Sequence, residues 1–192
     1  PVQRARMEAF TNRLSEAAVL TQILQSVTES HIPPSEEDLR ELFGELRPAG
    51  LETALVWLPK VPESSPVHDL LASAVDRLAE TSPQEVVRLL QHPGSEALTA
   101  AVDLCGRLKI GSAVAGLTGT LQHELPAVRA ATVRALESLG TPGALQLLEA
   151  ALDDTDREVR IAAAQAVGRR GYKGALGRLE AVNLEQHPEV GQ

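Results

Sequence analysis

The side chains that most often carry chemistry are scattered along this 192-residue chain. Its histidines show no i,i+4 pairing, which two metal ligands on one helix face would need, and no cysteine accompanies them at ligand spacing. No acid, base and nucleophile converge in the sequence pattern, and no glycine-rich phosphate-binding loop is present. The sequence therefore predicts no metal, no cofactor and no catalytic site. The histidines are His31, His68, His92, His123 and His187.

One short segment is rich in cations, because Arg169, Arg170, Lys173 and Arg178 fall close together. Such a density suits contact with phosphate backbones. Acidic residues precede the cluster, however, and Tyr172 is the one aromatic side chain near it, so a row of stacking aromatics is missing. Nucleic-acid binding through this basic cluster is therefore an alternative function rather than the leading one.

The charge of the chain is acidic overall and unevenly distributed. The formal net charge is −8, which disfavours a protein whose main task is to hold phosphate backbones. Residues 1–81 carry 7 basic and 13 acidic side chains, whereas residues 82–192 carry 11 and 13. The two parts of the chain therefore differ in construction.

Short phrases recur along the chain with a spacing of 31 residues. The phrase that begins at Val128 returns at Val159, and Gly140 returns as Gly171. A fixed period of this length is typical of helical units that stack and bury their apolar faces against one another. The sequence therefore predicts a repeat architecture.

Each repeat contains two apolar stripes at helical spacing, which predicts a helical hairpin. In one copy the first stripe runs through residues 144–152 and the second through residues 159–167. The acidic turn at 153–156 supplies cap residues, and Gly171 stands where the second helix would end. Cys105 falls in register with the apolar stripe, so we expect a buried, unreactive thiol.

The arginine that recurs near the start of each second helix is predicted to have a structural role. Arg129 and Arg160 are one period apart, and acidic turn residues such as Asp154 and Asp156 stand where they can pair with them within a unit or between neighbouring units. A residue that recurs at the repeat period usually serves the repeat itself. We therefore expect an arginine–aspartate ladder rather than a ligand site.

The stretch DDTDREVRIAAAQAVGRRG at residues 153–171 resembles HEAT repeats, in particular the short bacterial kind first associated with phycobilisome lyases. The resemblance is clear over about residues 113–190 and weaker towards the N-terminus. It implies an all-α, right-handed solenoid whose second helices line a concave side that binds other proteins. The lyase activity itself does not follow, since this repeat is far more widespread than that chemistry.

The predicted division of the chain places an N-terminal helical segment or cap at residues 1–48 and HEAT-like repeats at residues 49–192. An apolar pattern over residues 2–28 predicts one long amphipathic helix, and Ser35 followed by three acidic residues marks the start of another helix. The segment either caps the solenoid or continues it as part of an earlier hairpin. The predicted repeats are 49–81, 82–112, 113–143, 144–174 and a partial unit at 175–192.

If the second helices face inward, their polar positions fall into rows at the repeat period. The rows mix both charge signs with small polar groups, which suits recognition of a protein or peptide that has its own charge pattern. The predicted partner-binding residues are Glu96, Asp103, Arg107, Arg134, Glu158, Gln165 and Arg169.

These patterns together predict a bacterial, cytoplasmic interaction module of a larger protein, which binds a protein or peptide partner on the concave helix face. Lyase-like or chaperone-like activity on a prosthetic-group carrier protein is the enzymatic alternative. No apolar run approaches the ~20 residues that a membrane span needs, and neither a membrane nor a small-molecule ligand is expected. The sequence opens at Pro1 without an initiator Met, so we expect a truncated N-terminus.

Overall fold

Every regular element is helical in the computed structural model, which describes residues 2–30, 34–175 and 177. The predicted all-α class is therefore confirmed. Short 3₁₀ turns lead into or extend several of the helices. The α-helices are α1 (Val2–Leu14), α2 (Ala17–Glu29), α3 (Glu36–Gly44), α4 (Leu51–Trp57), α5 (Pro66–Thr81), α6 (Pro83–Leu90), α7 (Leu98–Arg107), α8 (Val114–Thr120), α9 (Pro126–Leu139), α10 (Pro142–Ala150) and α11 (Arg157–Arg170).

Local capping signals decide where many of these helices begin and end. An N-cap side chain satisfies the free N–H groups of the first turn, and a glycine beyond the last turn adopts a left-handed conformation that other residues avoid. Gly140 (φ 61°) and Gly171 (φ 60°) end α9 and α11 in this way, as predicted. The side-chain caps are Ser35 for α3, Ser65 for α5, Thr141 for α10 and Asp156 for α11.

The chain divides into an N-terminal unit, residues 1–101, and a C-terminal unit, residues 102–192. In the N-terminal unit α2 packs against α4, α3 packs against α5, and α4 packs against α5. Leucines and one phenylalanine form most of this core, because the amphipathic helices have no other place to bury them. The predicted boundary at residue 49 and the predicted repeat limits stay predictions.

The expectation of one long helix over residues 2–28 was wrong, because the chain turns between α1 and α2. The side chain of Ser15 lies buried at this turn. Its Oγ donates to the carbonyl of Thr11 (3.0 Å) and accepts from the backbone N–H of Arg47 (2.8 Å). The apolar pattern continues across the break, and the buried hydroxyl holds the turn against the segment that precedes α4.

In the C-terminal unit α8 packs against α9, α9 against α11 and α10 against α11. The repeat register is visible in its core, where Cys105, Leu136 and Val167, one period apart, are all buried as predicted. Burial raises the pKa of the Cys105 thiol to about 12, so the group stays protonated and unreactive. Gly106 lets α7 and α9 approach each other closely, since a Cβ at this position would lie 2.7 Å from the Cα of Ala135.

Candidate protein-binding surface

The guanidinium of Arg129, near the start of α9, makes hydrogen bonds that stabilise the fold. Its Nε and Nη2 donate to the two carboxylate oxygens of Asp154, at 2.8 and 2.9 Å, in the following repeat. Its Nη1 donates to the carbonyls of His123 (2.7 Å) and Glu124 (3.1 Å) in its own turn. The side chains of Arg129 and Asp154 are only 11% and 8% exposed. The pair therefore joins successive repeats of the C-terminal unit and is largely buried from solvent.

The surroundings of this pair favour its charged form. Burial by itself would raise the pKa of Asp154, but hydrogen bonds from Arg129 and from the backbone N–H of Asp156 lower that pKa below its ordinary value. The same hydrogen bond, with Asp154 as acceptor, raises the pKa of Arg129. The carboxylate is therefore ionised at neutral pH.

Arg160 repeats the part of this arrangement that lies within one turn. Its Nη1 donates to the carbonyls of Asp154 (2.7 Å) and Thr155 (3.1 Å), which occupy the same relative positions as the carbonyls that Arg129 contacts. Asp156, the other acidic residue expected to pair with an arginine, caps α11 instead. Its Oδ1 accepts from the backbone N–H groups of Glu158 (2.9 Å) and Val159 (3.1 Å).

The seven predicted partner-binding residues are all exposed. Glu96 lies in the N-terminal unit, two residues before the start of α7, and its carboxylate is 3.9 Å from the Nζ of Lys60. That ammonium also lies 5.5 Å from the centre of the Trp57 ring. Glu96 therefore belongs to a small polar contact of its own unit.

The other six predicted residues lie in the C-terminal unit, on α7, α9 and α11. Asp103 and Arg134 lie one repeat period apart, with the carboxylate 3.6 Å from Nη2 and both side chains more than half exposed. An exposed ion pair of this kind contributes little to stability. Glu158 lies 3.7 Å from Arg157 in a similarly open setting. Arg107 and Gln165 are exposed on α7 and α11.

Arg169 differs from the other members of the predicted set, because it has a bidentate partner. Its Nε and Nη2 donate to the two carboxylate oxygens of Glu137, at 2.5 and 2.9 Å. The hydrogen bond from Arg169 lowers the pKa of Glu137 below its ordinary range. Nη2 of Arg170 donates to the carbonyls of Glu137 and Ser138 at the end of α9. Two cations of the predicted basic cluster thus make contacts between successive repeats, whereas Arg178 falls outside the described residues.

Two contacts at the helix ends were missed from the sequence. Glu137 pairs with Arg169 at a separation of 32 residues, one more than the repeat period, so a search for rows at 31 passes over it. Arg77 stands three repeat periods before Arg170. Its Nη2 likewise donates to carbonyls at a preceding helix end, those of Phe43 (2.9 Å) and Leu46 (3.2 Å). Extending the period further back would have identified this residue.

Comparison with known proteins agrees with the repeat geometry. A family model described as HEAT repeats matches residues 83–168 and 114–190, and no curated protein matches the chain significantly. HEAT repeats commonly serve as protein-interaction scaffolds, and the family is generally non-enzymatic. Within the described ranges, no group of three or more His, Cys, Asp or Glu side chains is placed to hold a metal ion. Among the described helices, none has the length and apolar character to cross a membrane.

Proposed function

The chain belongs to the HEAT-repeat family, and from that premise we propose that it is an interaction module of a larger protein. Its partner is a protein or peptide that binds the exposed polar positions of α7, α9 and α11 in the C-terminal unit. Residues at the centre of this surface are Asp103, Arg134 and Gln165, which follow one another at the repeat period.

The exposed Asp103–Arg134 pair carries this proposal. It shows that polar side chains one period apart come within reach of each other across the repeat, 3.6 Å between charged groups. Because both side chains are more than half exposed, their pair contributes little to stability. A mixed-charge row of this kind is available to match the charges of a partner.

Arg169 belongs both to the predicted partner-binding residues and to the basic cluster, and its contacts differ from those of the row. Arg169 and Arg170 donate to a carboxylate and to helix-end carbonyls of the protein itself, so replacing them would change both folding and recognition. We therefore leave Arg169 out of the first test and favour protein binding over nucleic-acid binding. The lyase-like alternative stays a prediction that no contact in the described residues supports.

The test is a pull-down from source-cell lysate with quantitative mass spectrometry. Three variants are compared with the wild type: Arg134→Glu, the charge swap Asp103→Arg/Arg134→Asp, and Arg88→Glu as the control. Arg88 is an exposed arginine of α6, in the N-terminal unit, and its Nε lies 2.9 Å from a carboxylate oxygen of Glu85. The swap keeps an internal pair but inverts the charge pattern that the partner meets.

We expect a partner that is retained by the wild type and by the control. Its recovery should fall by about tenfold with Arg134→Glu and with the swap, the effect of losing ~1.4 kcal/mol of binding free energy. Circular dichroism should show the same helicity for all four proteins. A partner that binds the two row variants as well as the wild type would rule out this surface.

A further inference from the structure

A small groove lies between α3 and α5 in the N-terminal unit, on a surface that the proposed function does not use. Its volume is about 310 Å³, which is at the lower end of the range for ligand pockets. The apolar part of the lining comes from Phe43, Leu70 and Ala74. Gly44, Ser73 and two arginines, Arg40 and Arg77, complete it.

Both arginines retain donor capacity. The two helix-end bonds of Arg77 come from Nη2, so they leave the other N–H groups of its guanidinium unused. The side chain of Arg40 is 66% exposed and reaches Glu36 only at 3.9 Å. Such an exposed pair is weak and exchanges readily for a better acceptor.

The charge of this groove is opposite to that of its surroundings. Residues 1–81 carry 13 acidic and 7 basic side chains, yet two of the seven basic residues line this one groove and no described lining residue is acidic. Paired guanidinium groups beside an apolar floor bind a carboxylate and an aliphatic or aromatic side chain at the same time.

We propose that this groove binds an acidic peptide segment of a partner protein. An apolar side chain of the peptide packs on Phe43, Leu70 and Ala74, and a neighbouring Asp or Glu carboxylate lies between Arg40 and Arg77. The proposal concerns a different unit and a different surface from the row on α7, α9 and α11, so it stands or fails independently of the proposed function.

The probe is a phage-displayed library of random dodecapeptides, selected on the full chain. We expect the selected sequences to be enriched in Asp or Glu next to a large apolar residue. The best sequence, synthesised with a fluorescent label, should bind the wild type in an anisotropy titration, and its affinity should fall as salt is raised.

Three variants locate the binding. Arg40→Glu should lower the affinity at least about tenfold. Gly44→Leu tests the groove without changing any charge: Gly44 lines it, and an added Cβ there meets no atom within 4 Å. The new side chain should fill the groove and also abolish binding. Arg13→Glu, an exposed arginine of α1 outside the groove, is the matched control and should bind as the wild type does.

Urea unfolding of each variant separates lost binding from lost folding. Selection of peptides with no acidic enrichment would overturn the proposal, and so would an empty selection. Binding that survives both Arg40→Glu and Gly44→Leu in folded protein would overturn it as well.

Discussion

The turns that open α9 and α11 lie one repeat apart and share their backbone contacts. In each turn a side chain accepts the backbone N–H two residues further on: Nδ1 of His123 from Leu125 (3.1 Å), and Oδ1 of Asp154 from Asp156 (2.8 Å). In each turn the recurring arginine also donates to two carbonyls. Imidazole and carboxylate thus perform the same local task.

The two turns differ in what the acidic residues add. Asp156 caps α11, whereas Leu125 occupies the N-cap position of α9, provides no side-chain cap and is 54% exposed. Asp154 also receives the bidentate bond from Arg129. The hydrogen bonds within the turn are therefore common to both repeats. The side-chain cap depends on Asp156, and the ion pair between repeats depends on Asp154 as the partner of Arg129.

Among changes to these two turns, replacing Arg129 should lower the stability of the protein most. Arg129→Met leaves the carboxylate of Asp154, whose side chain is 8% exposed, without its cation. Breaking a buried pair in this way costs about 3–5 kcal/mol of the free energy of unfolding, which urea titration followed by circular dichroism would measure. Arg160→Met is the matched control, because the bonds that Arg160 makes within its turn are worth ~1 kcal/mol. Equal losses in the two variants would mean that the ion pair adds nothing to the shared bonds.

Acid should weaken the same pair. The pKa of Asp154 is lowered in the folded protein, so its contribution to stability is present above the unfolded-state pKa of about 4 and is lost as pH falls through the lower folded value. Asparagine keeps one accepting oxygen, so we expect Asp154→Asn to be about 2 kcal/mol less stable than the wild type at pH 7, the worth of a lost charge-assisted hydrogen bond. The difference should shrink below pH 4.

Glu137 also has a lowered pKa, but it is present in both proteins and cancels in this difference. Unfolding free energies measured from pH 7 to pH 3 give the curve. A difference that stays constant over this range would contradict a role for the ionised carboxylate.

A side-chain cap added to the turn before α9, like the one before α11, should change the stability least, and it should raise it. Leu125→Asp places a carboxylate where Asp156 lies one period later, at the positive end of the α9 dipole. A new N-cap is worth roughly 1 kcal/mol, seen as a higher urea midpoint. Leu125→Ala removes the exposed leucine without adding a cap, so equal stability of the two variants would show that no cap forms.

Much of the fold follows from the sequence, because caps and core positions are set by local rules. Ser35, the glycines after α9 and α11, and the buried register of Cys105 were all predicted from spacing of a few residues or from one fixed period. The break between α1 and α2 was not predicted. Neither proline nor glycine marks it, and the apolar pattern continues past Ser15, whose role depends on Arg47 far along the chain.

The candidate surfaces were harder to predict, because they depend on choices between distant partners. Asp154 and Asp156 were equal candidates for Arg129, and only the folded turn shows that Asp156 is engaged as a cap. The exposed positions on α7, α9 and α11 could be named from the period, but the pairing of Arg169 with Glu137 could not. The groove between α3 and α5 requires knowledge of how those two helices pack.

The ion pair between successive repeats, Arg129 with Asp154, affects how a chain of this kind can gain repeats during evolution. Arg129 and Asp154 lie 25 residues apart in neighbouring units, and residues 144–174 contain a residue of each kind, Arg160 and Asp154. A tandem duplication of those residues would keep the existing pair and give Arg160 a new aspartate at the same separation. A gene can therefore gain whole repeats of this type without burying an unmatched charge, whereas an insertion of another length between two partners would change their separation and disrupt that pair.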